Sequence, residues 1–142
     1  MNKDNFYKFL KQNIKKSIIP NKKKILITGS NGFIGKYLVY ALVDVFKEHN
    51  NVIYGIDINK NLKKSKNYKY FQKDLTRLNR KLIPNIKYDY IIHLAGIPSP
   101  VYYKRYPLKT IYLNSELSRE LLELSKKNKS KFIYFSSSEI YG

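Results

Sequence analysis

Short runs of apolar residues alternate along this sequence with stretches in which apolar residues recur every three or four positions. The first pattern is typical of buried strands and the second of amphipathic helices. The predicted strands are the run that starts at Ile25, then Val52–Asp57, Tyr68–Lys73, Tyr90–Leu94 and Lys131–Phe135. Strands that alternate with helices favour an α/β fold, a doubly wound parallel sheet of the Rossmann type with about five strands.

Helical patterns connect these strands. The first follows the opening strand, and its apolar side consists of Tyr37, Leu38, Ala41, Leu42, Val45 and Phe46. Residues 76–82 are weakly helical, and a loop with several prolines, Ile97 to Pro107, precedes a long helix with apolar residues from Ile111 to Leu124. Because parallel crossovers are right-handed, we expect helices on both faces of the sheet and a ligand site at the carboxyl ends of its strands.

Residues 1–21 predict a separate element before this domain. Their apolar residues recur at near-helical spacing between lysines and are Phe6, Phe9, Leu10, Ile14 and Ile18. This pattern predicts a basic amphipathic helix that ends at Pro20. Its apolar stripe is expected to dock on the domain, with a partner or a membrane surface as alternatives. The Rossmann domain is then residues 22–142.

A glycine-rich turn follows the first strand. Gly29, Gly32 and Gly35 have the spacing G-x-x-G-x-x-G between an apolar strand and an amphipathic helix. Glycine permits a tight turn and close approach of the backbone to a phosphate, and the helix N-terminus adds unpaired N–H groups and a positive dipole. In this context the spacing predicts a dinucleotide-binding loop.

Polar residues lie in or after the other predicted strands. Asp57 closes the second strand 22 positions beyond Gly35, near the spacing at which dinucleotide folds present an acid to the adenosine ribose. Asp74 follows the third strand, and Ser136–Glu139 follow the fifth. Each has a structural alternative: Asp57 as a strand-end acid, Asp74 as a helix cap, the serines as a turn. His93, on an apolar strand, is predicted to be buried and hydrogen-bonded rather than catalytic.

Composition narrows the class of protein. With 142 residues, 43% of them hydrophobic, and no cysteine, the chain fits one globular domain without disulfides or a thiolate metal site, and we expect no metal. No apolar run is long enough for a membrane span and none follows Met1 as in a signal peptide, so a cytoplasmic location is expected. The net charge of +18 allows nucleic-acid binding, but the lysines are spread along the chain and arginine, favoured in base recognition, is scarce.

Five segments occur together in a characteristic order. They are Thr28–Gly35, Asp57, Asp74-Leu75, His93–Gly96 and Ser136–Gly142. In these segments and their separations, residues 23–142 resemble the extended short-chain dehydrogenase/reductase family, the NAD-dependent epimerase/dehydratase group that acts on sugar nucleotides. The run from His93 to Thr110, with Asn114 after it, is similar to UDP-glucuronate decarboxylases. The Ser-Glu pair before Ile-Tyr-Gly is similar to those enzymes and to some 4,6-dehydratases, and unlike most 4-epimerases.

The resemblance implies NAD as the cofactor. Gly29, Gly32 and Gly35 would cradle its pyrophosphate, and Phe33 and Ile34 would lend backbone amides. These residues form the phosphate side of the implied site.

The resemblance also assigns the rest of the cofactor site. Asp57 would accept hydrogen bonds from the adenosine ribose, and its charge would repel the 2′-phosphate of NADP. Asp74 would meet the adenine amino group, with Leu75 against the ring. The path to the nicotinamide ribose would be lined by Leu94, Ala95 and Gly96.

The implied substrate is a nucleotide sugar, a UDP-sugar above all. Ser137 matches the family's catalytic Ser/Thr, which hydrogen-bonds the sugar hydroxyl being oxidised. Glu139 matches the acidic residue of the later step, decarboxylation or dehydration. Tyr103 would touch substrate, with packing as the alternative.

The family's general base is a tyrosine with a lysine four residues later. Tyr7 and Lys11 have this spacing but precede the first strand, so we treat the match as coincidence. We therefore expect the chain to hold the NAD-binding portion, to stop before the later strands and substrate domain, and to be inactive alone. A complementing C-terminal fragment or a homodimer would cover the fifth strand, an expected apolar edge. A non-catalytic NAD-binding module and a basic nucleic-acid-binding protein are the alternatives.

Overall fold

The computed structural model describes residues 20–46, 50–60, 65–76 and 82–137, together with residues 5, 8–9, 12–13 and 141. Five strands form one parallel sheet in the order β3-β2-β1-β4-β5. The strands are β1 Lys24–Thr28, β2 Val52–Asp57, β3 Tyr68–Gln72, β4 Tyr90–His93 and β5 Lys131–Tyr134. Their bounds agree with the predicted strands to within one residue. The parallel order confirms the predicted doubly wound, Rossmann-type sheet.

Strand order reverses beside β1. Strands β2 and β3 extend the sheet on one side of it, and β4 and β5 extend it on the other. Thr28, at the end of β1, pairs with Ile56 of β2 and with His93 of β4. The crevice where ligands bind in open α/β sheets therefore begins directly beyond Thr28.

Described helices lie in the connection from β1 to β2 and in the connection from β4 to β5. Helix α1 (Phe33–Val45) follows β1, and α2 (Pro100–Arg105), α3 (Pro107–Ile111) and α4 (Leu117–Asn128) lie between β4 and β5. A π-helical turn, Tyr112–Glu116, joins α3 to α4. The segment after α3 is thus helical, as predicted, but it is not a single regular helix.

The prediction of a loop from Ile97 to Pro107 is wrong for Pro100–Arg105, which form α2. Pro100 and Pro107 stand at the starts of α2 and α3, so these prolines open helices instead of excluding them. Proline suits that position because its fixed φ matches the helix and no N–H is needed in the first turn. The amides of Tyr102 and Tyr103 donate to the carbonyl of Ser99, which closes the first turn of α2.

Successive strand residues pack on opposite faces of the sheet. Ile25 and Ile27 of β1 pack in one core cluster with α1. Leu26, between them, packs in a second cluster with Leu117 and Leu121 of α4. Helices therefore cover both faces, as right-handed crossovers require, and the strand ends are left for the site.

Strand β5 is the outer strand beside β4. Ile133, Tyr134 and Phe135 are between 42% and 45% exposed. The predicted exposure of apolar residues at this edge is confirmed for Ile133 and Phe135, whereas Phe132 is partly buried and packs against the core cluster of Leu26.

Several predicted features fall on residues that the structure does not describe. Of the N-terminal helix, the described positions 5, 8–9 and 12–13 are helical, and Phe9 of the apolar stripe is 56% exposed. The weak helix predicted at 76–82 is described only at its two ends, and Glu139 is not described. Among the described residues, no helix is both long and apolar enough to cross a membrane.

Candidate functional site

The loop after β1 packs directly against the loop after β4. Gly29 has a φ of 67°, in the left-handed region that glycine adopts without strain. A Cβ on Gly29 would lie 2.7 Å from the carbonyl carbon of Leu94 and 2.7 Å from the amide nitrogen of Ala95. Backbone conformation and close approach of two strand ends therefore both require glycine here.

The other two glycines let α1 begin beside that loop. A Cβ on Gly35 would collide with the carbonyl oxygen of Gly29. Gly32 is the N-cap of α1, in an extended conformation and without a side-chain cap. The first N–H groups of a helix have no intrahelical acceptor, so the amides of Phe33 and Ile34 are suited to bind an anion at this point.

Asp57, at the end of β2, is 7% exposed and bonded to the glycine loop. Its Oδ2 accepts a 2.9 Å hydrogen bond from the amide of Asn31, and its Oδ1 accepts a 2.9 Å bond from the amide of Asn59. These bonds fix the carboxylate close to the N-terminus of α1. A carboxylate offers about four lone-pair sites, so further donors such as ribose hydroxyls can still bind it.

Tyr70 of β3 supports the turn that carries Asp57. Its hydroxyl is shared between the carbonyl oxygen of Asp57, at 3.2 Å, and the carbonyl oxygen of Asn59. Burial, with a smaller effect of the Asp57 charge, raises the pKa of Tyr70 to about 12, so the hydroxyl remains a donor at neutral pH. The sequence carries no signal for this role, because an aromatic residue in a strand does not reveal the partner of its hydroxyl.

Asp74 and Leu75 follow β3 but are engaged within the protein. Asp74 Oδ1 accepts hydrogen bonds from the amide of Thr76, at 3.0 Å, and from its hydroxyl, at 2.7 Å. This is the local geometry of the capping alternative. Leu75 is 7% exposed and packs in the core cluster of Leu26. Contacts of these two residues with adenine stay predictions.

His93 is fully buried, and both of its ring nitrogens have partners. Nδ1 lies 2.7 Å from Oγ1 of Thr28, and Nε2 lies 3.1 Å from the carbonyl oxygen of Leu113. Burial lowers the pKa of His93, and the bond to Leu113 opposes that effect only in part. The predicted buried, hydrogen-bonded state of His93 is confirmed.

The chain after β4 continues along the strand ends. The amide of Leu94 donates to the carbonyl of Thr28 at 3.1 Å, and the amide of Ala95 to the Thr28 hydroxyl at 3.4 Å. A Cβ on Gly96 would lie 3.6 Å from Oδ1 of Asn114, on the π-helical turn. The structure thus places Asn114, which the resemblance named together with His93–Thr110, beside Gly96. Sequence periodicity does not predict this position, because a widened turn breaks the helical repeat.

The predicted substrate-side residues come from two other elements. The amide of Phe135 donates to the carbonyl of His93 at 3.1 Å, which places the exposed Ser137 just beyond the end of β5. Tyr103 is half-buried on α2. Glu139 is among the residues without a described position. The roles of these three residues stay predictions.

The described groups fit a dinucleotide. The glycine loop leaves backbone space that side chains would fill, a helix N-terminus faces that space, and a buried carboxylate is fixed beside it. Within the described ranges, no group of three His, Asp or Glu side chains is arranged to hold a metal ion.

The sequence of this chain is similar to those of known proteins. Over 140 residues the chain is 36% identical to the bifunctional polymyxin resistance protein ArnA of Wigglesworthia glossinidia brevipalpis, a match that covers 95% of this chain and 21% of ArnA. Over 123 residues it is 37% identical to UDP-glucuronic acid decarboxylase 5 of Arabidopsis thaliana, with 84% and 35% of the two chains covered. The chain therefore spans about a fifth to a third of the length of these relatives.

The fold of this chain also resembles that of a solved structure. The UDP-N-acetylglucosamine 4-epimerase from Methanobrevibacter ruminantium M1, in complex with UDP-N-acetylmuramic acid, matches with a TM-score of 0.69 and 29% identity, over 87% of this chain and 40% of the epimerase. The model of the NAD-dependent epimerase/dehydratase family matches residues 25–142. This chain therefore belongs to the NAD-dependent epimerase/dehydratase family, and NAD, the cofactor predicted from its sequence, is the cofactor of that family.

Proposed function

We propose that this chain is the NAD-binding portion of an enzyme that modifies a nucleotide sugar, similar to UDP-glucuronate decarboxylases or to the family's 4,6-dehydratases and epimerases. One observation carries the proposal: the buried Asp57 is held by the amide of Asn31 at the start of α1, beside the cradle of Gly29, Gly32 and Gly35. An acid and a phosphate-binding helix start are thereby held together as a dinucleotide requires.

The proposed cofactor contacts follow from this geometry. The pyrophosphate lies against the three glycines and the amides of Phe33 and Ile34. Asp57 accepts hydrogen bonds from the adenosine ribose, and its negative charge favours NAD over NADP, whose 2′-phosphate it repels. The strand-end residues Leu94, Ala95 and Gly96 border the nicotinamide ribose, while Asp74 and Leu75 border the adenine.

The proposed substrate side uses Ser137, Glu139 and Tyr103. The hydroxyl of Ser137 hydrogen-bonds the sugar hydroxyl that is oxidised, Glu139 serves the later step, and Tyr103 contacts the nucleotide sugar. Bound NAD supplies a hydride acceptor.

Proton removal from the sugar hydroxyl needs a general base, and residues 22–142 contain no tyrosine with a lysine four residues later. A complementing segment would provide it, so we propose no turnover by this chain alone. The cytoplasmic location also stays a prediction.

Titration with NAD tests the proposed site. We expect the 142-residue chain to bind NAD more tightly than NADP, and Asp57→Ala to weaken NAD binding by about tenfold to a hundredfold, the worth of charge-assisted hydrogen bonds to the ribose. The matched control is Asp89→Ala, because Asp89 precedes β4 at the opposite end of the sheet and pairs with Lys23. Equal weakening by the two variants would contradict the proposal.

The same preparation tests the alternatives. Binding of NAD without turnover, even when a complementing segment is added, would favour the non-catalytic module. Absence of NAD binding, with affinity for DNA that falls steeply as salt rises, would favour the nucleic-acid-binding protein.

A further inference from the structure

A π-helical turn interrupts the helical segment between α3 and α4. In Tyr112–Glu116 the helix widens, because the amide of Leu117 donates to the carbonyl of Tyr112 five residues earlier. Turns of this kind are rare in proteins overall, and those that occur often lie at functional sites. Asn114 of this turn lies beside Gly96, at the carboxyl end of β4. The turn therefore borders the proposed path of the cofactor.

The backbone of the widened turn is bonded both by the central sheet and by the helix that follows it. The carbonyl oxygen of Leu113 lies 3.1 Å from Nε2 of His93, and it also accepts a 3.4 Å bond from the hydroxyl of Ser118. Leu113 is 5% exposed and His93 fully buried. A side chain of the central sheet thus reaches the backbone of the turn in a place without access to water.

The partners of His93 define its tautomer. A carbonyl oxygen only accepts, so Nε2 carries a proton. In the neutral ring Nδ1 then accepts from the hydroxyl of Thr28 at 2.7 Å. The oxygen of that hydroxyl accepts from the amide of Ala95 at 3.4 Å. A directed series of hydrogen bonds therefore runs from Ala95, on the proposed cofactor path, through Thr28 and His93 to Leu113 in the π-helical turn.

We propose that His93 is a positioning residue that fixes the π-helical turn Tyr112–Glu116 against the strand-end loop at Gly96. This role rests on the proposed NAD site, which the turn and the loop both border. A leucine at position 93 fills similar space but removes the shorter of the two bonds that the Leu113 carbonyl accepts, leaving the one from Ser118. It also removes the acceptor of the Thr28 hydroxyl proton. The loss of a hydrogen bond by a buried polar group is costly. A glutamine can present an amide donor to Leu113 in place of Nε2.

The first experiment needs no variant. Long-range ¹H–¹⁵N spectra of the ¹⁵N-labelled 142-residue chain at neutral pH distinguish the two neutral tautomers from the imidazolium. We expect a neutral His93 ring with its proton on Nε2. A proton on Nδ1, or a charged ring, would overturn the proposal.

The second experiment compares His93→Leu and His93→Gln with Leu121→Val. The control shortens a fully buried side chain of α4 and leaves the hydrogen-bond series intact. We expect His93→Leu to accelerate amide exchange in Tyr112–Glu116 and to weaken NAD binding by about tenfold, the effect of one lost buried hydrogen bond. His93→Gln should recover most of both effects. After correction for global stability, equal exchange of the turn in His93→Leu and Leu121→Val would overturn the proposal.

If His93→Leu does not fold, a comparison of Thr28→Val with Thr28→Ser tests the same series of hydrogen bonds from the Thr28 end. Faster amide exchange in Tyr112–Glu116 only in Thr28→Val supports the positioning role of His93. Equal exchange in the two variants overturns it. An unmodified chain that fails to bind NAD contradicts the proposed function. The tautomer and the exchange of the turn still decide the role of His93 in that case.

Discussion

The carbonyl oxygen of Gly29 occupies the space that a Cβ on Gly35 would need. We therefore expect Gly35→Ala to lower the free energy of unfolding by about 1–3 kcal/mol, the usual cost of forcing a methyl group into a packed contact. Alanine is the better helix former by about 1 kcal/mol, which offsets only part of that cost. Urea unfolding of the variant measures the difference.

Gly96→Ala is the matched control for this substitution. A Cβ on Gly96 would meet Asn114 Oδ1 at 3.6 Å, an ordinary contact distance. We expect its stability to stay within about 0.5 kcal/mol of the unmodified chain. Equal losses in the two variants would show that the cost comes from removing any glycine and not from the contact with Gly29.

A second prediction concerns Gly55 in the middle of β2. A Cβ there would collide with the hydroxyl oxygen of Tyr68 and lie 2.6 Å from Oγ of Ser30. We expect Gly55→Ala to cost about 1–3 kcal/mol. Tyr68→Phe alone should cost less than about 1 kcal/mol, because its hydroxyl makes only a long 3.3 Å bond to Ser30.

The double variant Gly55→Ala with Tyr68→Phe tests whether the collision with the Tyr68 hydroxyl causes the loss of stability. Removing the Tyr68 hydroxyl takes away the tightest contact of the new methyl group, while Oγ of Ser30 at 2.6 Å and Cε2 of the ring at 2.7 Å remain. Gly55→Ala with Tyr68→Phe should therefore be more stable than the sum of the single losses by less than about 1 kcal/mol. Strict additivity in the unfolding measurements would mean that the methyl group is accommodated elsewhere.

The strands and the glycine loop were predictable because their physical causes are local in the sequence. Apolar runs such as Val52–Asp57 define buried strands, and the spacing of Gly29, Gly32 and Gly35 reflects contacts between residues close in the chain. The buried state of His93 was predictable for the same reason, since its neighbours in the strand are apolar.

Other features depend on contacts between distant segments. Several prolines close together predict a loop from Ile97 to Pro107, yet Pro100 and Pro107 each begin a helix, a position that favours proline. The π-helical turn and the place of Asn114 beside Gly96 follow from packing of α4 on β4, which no periodicity records. Likewise, Tyr70 supports Asp57 only because the register of β3 on β2 brings them together.

The buried His93 predicts a pH dependence of stability. Burial holds the pKa of His93 in the folded state below the value of about 6.5 that it has in an unfolded chain. Above pH 6.5 the ring is neutral in both states, so it does not make the free energy of unfolding depend on pH. As pH falls below about 6.5, the unfolded chain binds a proton that the folded chain does not, so the free energy of unfolding falls by up to about 1.4 kcal/mol per pH unit until the folded pKa is reached.

Denaturant unfolding at a series of pH values tests this expectation. His93→Gln removes the titrating ring and should reduce the slope just below pH 6.5, while His49 remains in both proteins and cancels from the comparison. The same slope in both proteins would mean that His93 is protonated equally in the folded and unfolded states.

The final prediction concerns catalysis by the 142-residue chain. With NAD and UDP-glucuronate we expect no NADH and no converted sugar nucleotide, because Ser137 can bind the sugar hydroxyl but residues 22–142 provide no Tyr-x-x-x-Lys general base. Loss of a general base alone slows a reaction by about 10²–10⁴-fold, and the missing orientation of the substrate adds to this. NADH absorbance and chromatography of the sugar nucleotide measure the result.

An NAD titration of the same sample is the control. If the sample binds NAD without turnover, the missing turnover has a chemical cause and does not result from misfolding. Turnover that Ser137→Ala abolishes would contradict the prediction and show a base within the chain. Tyr7→Phe then tests the one Tyr-x-x-x-Lys match in the sequence, Tyr7 and Lys11. If it abolished turnover while NAD binding was unchanged, the assignment of that pair to coincidence would be wrong, and the N-terminal segment would have to reach the carboxyl ends of the strands.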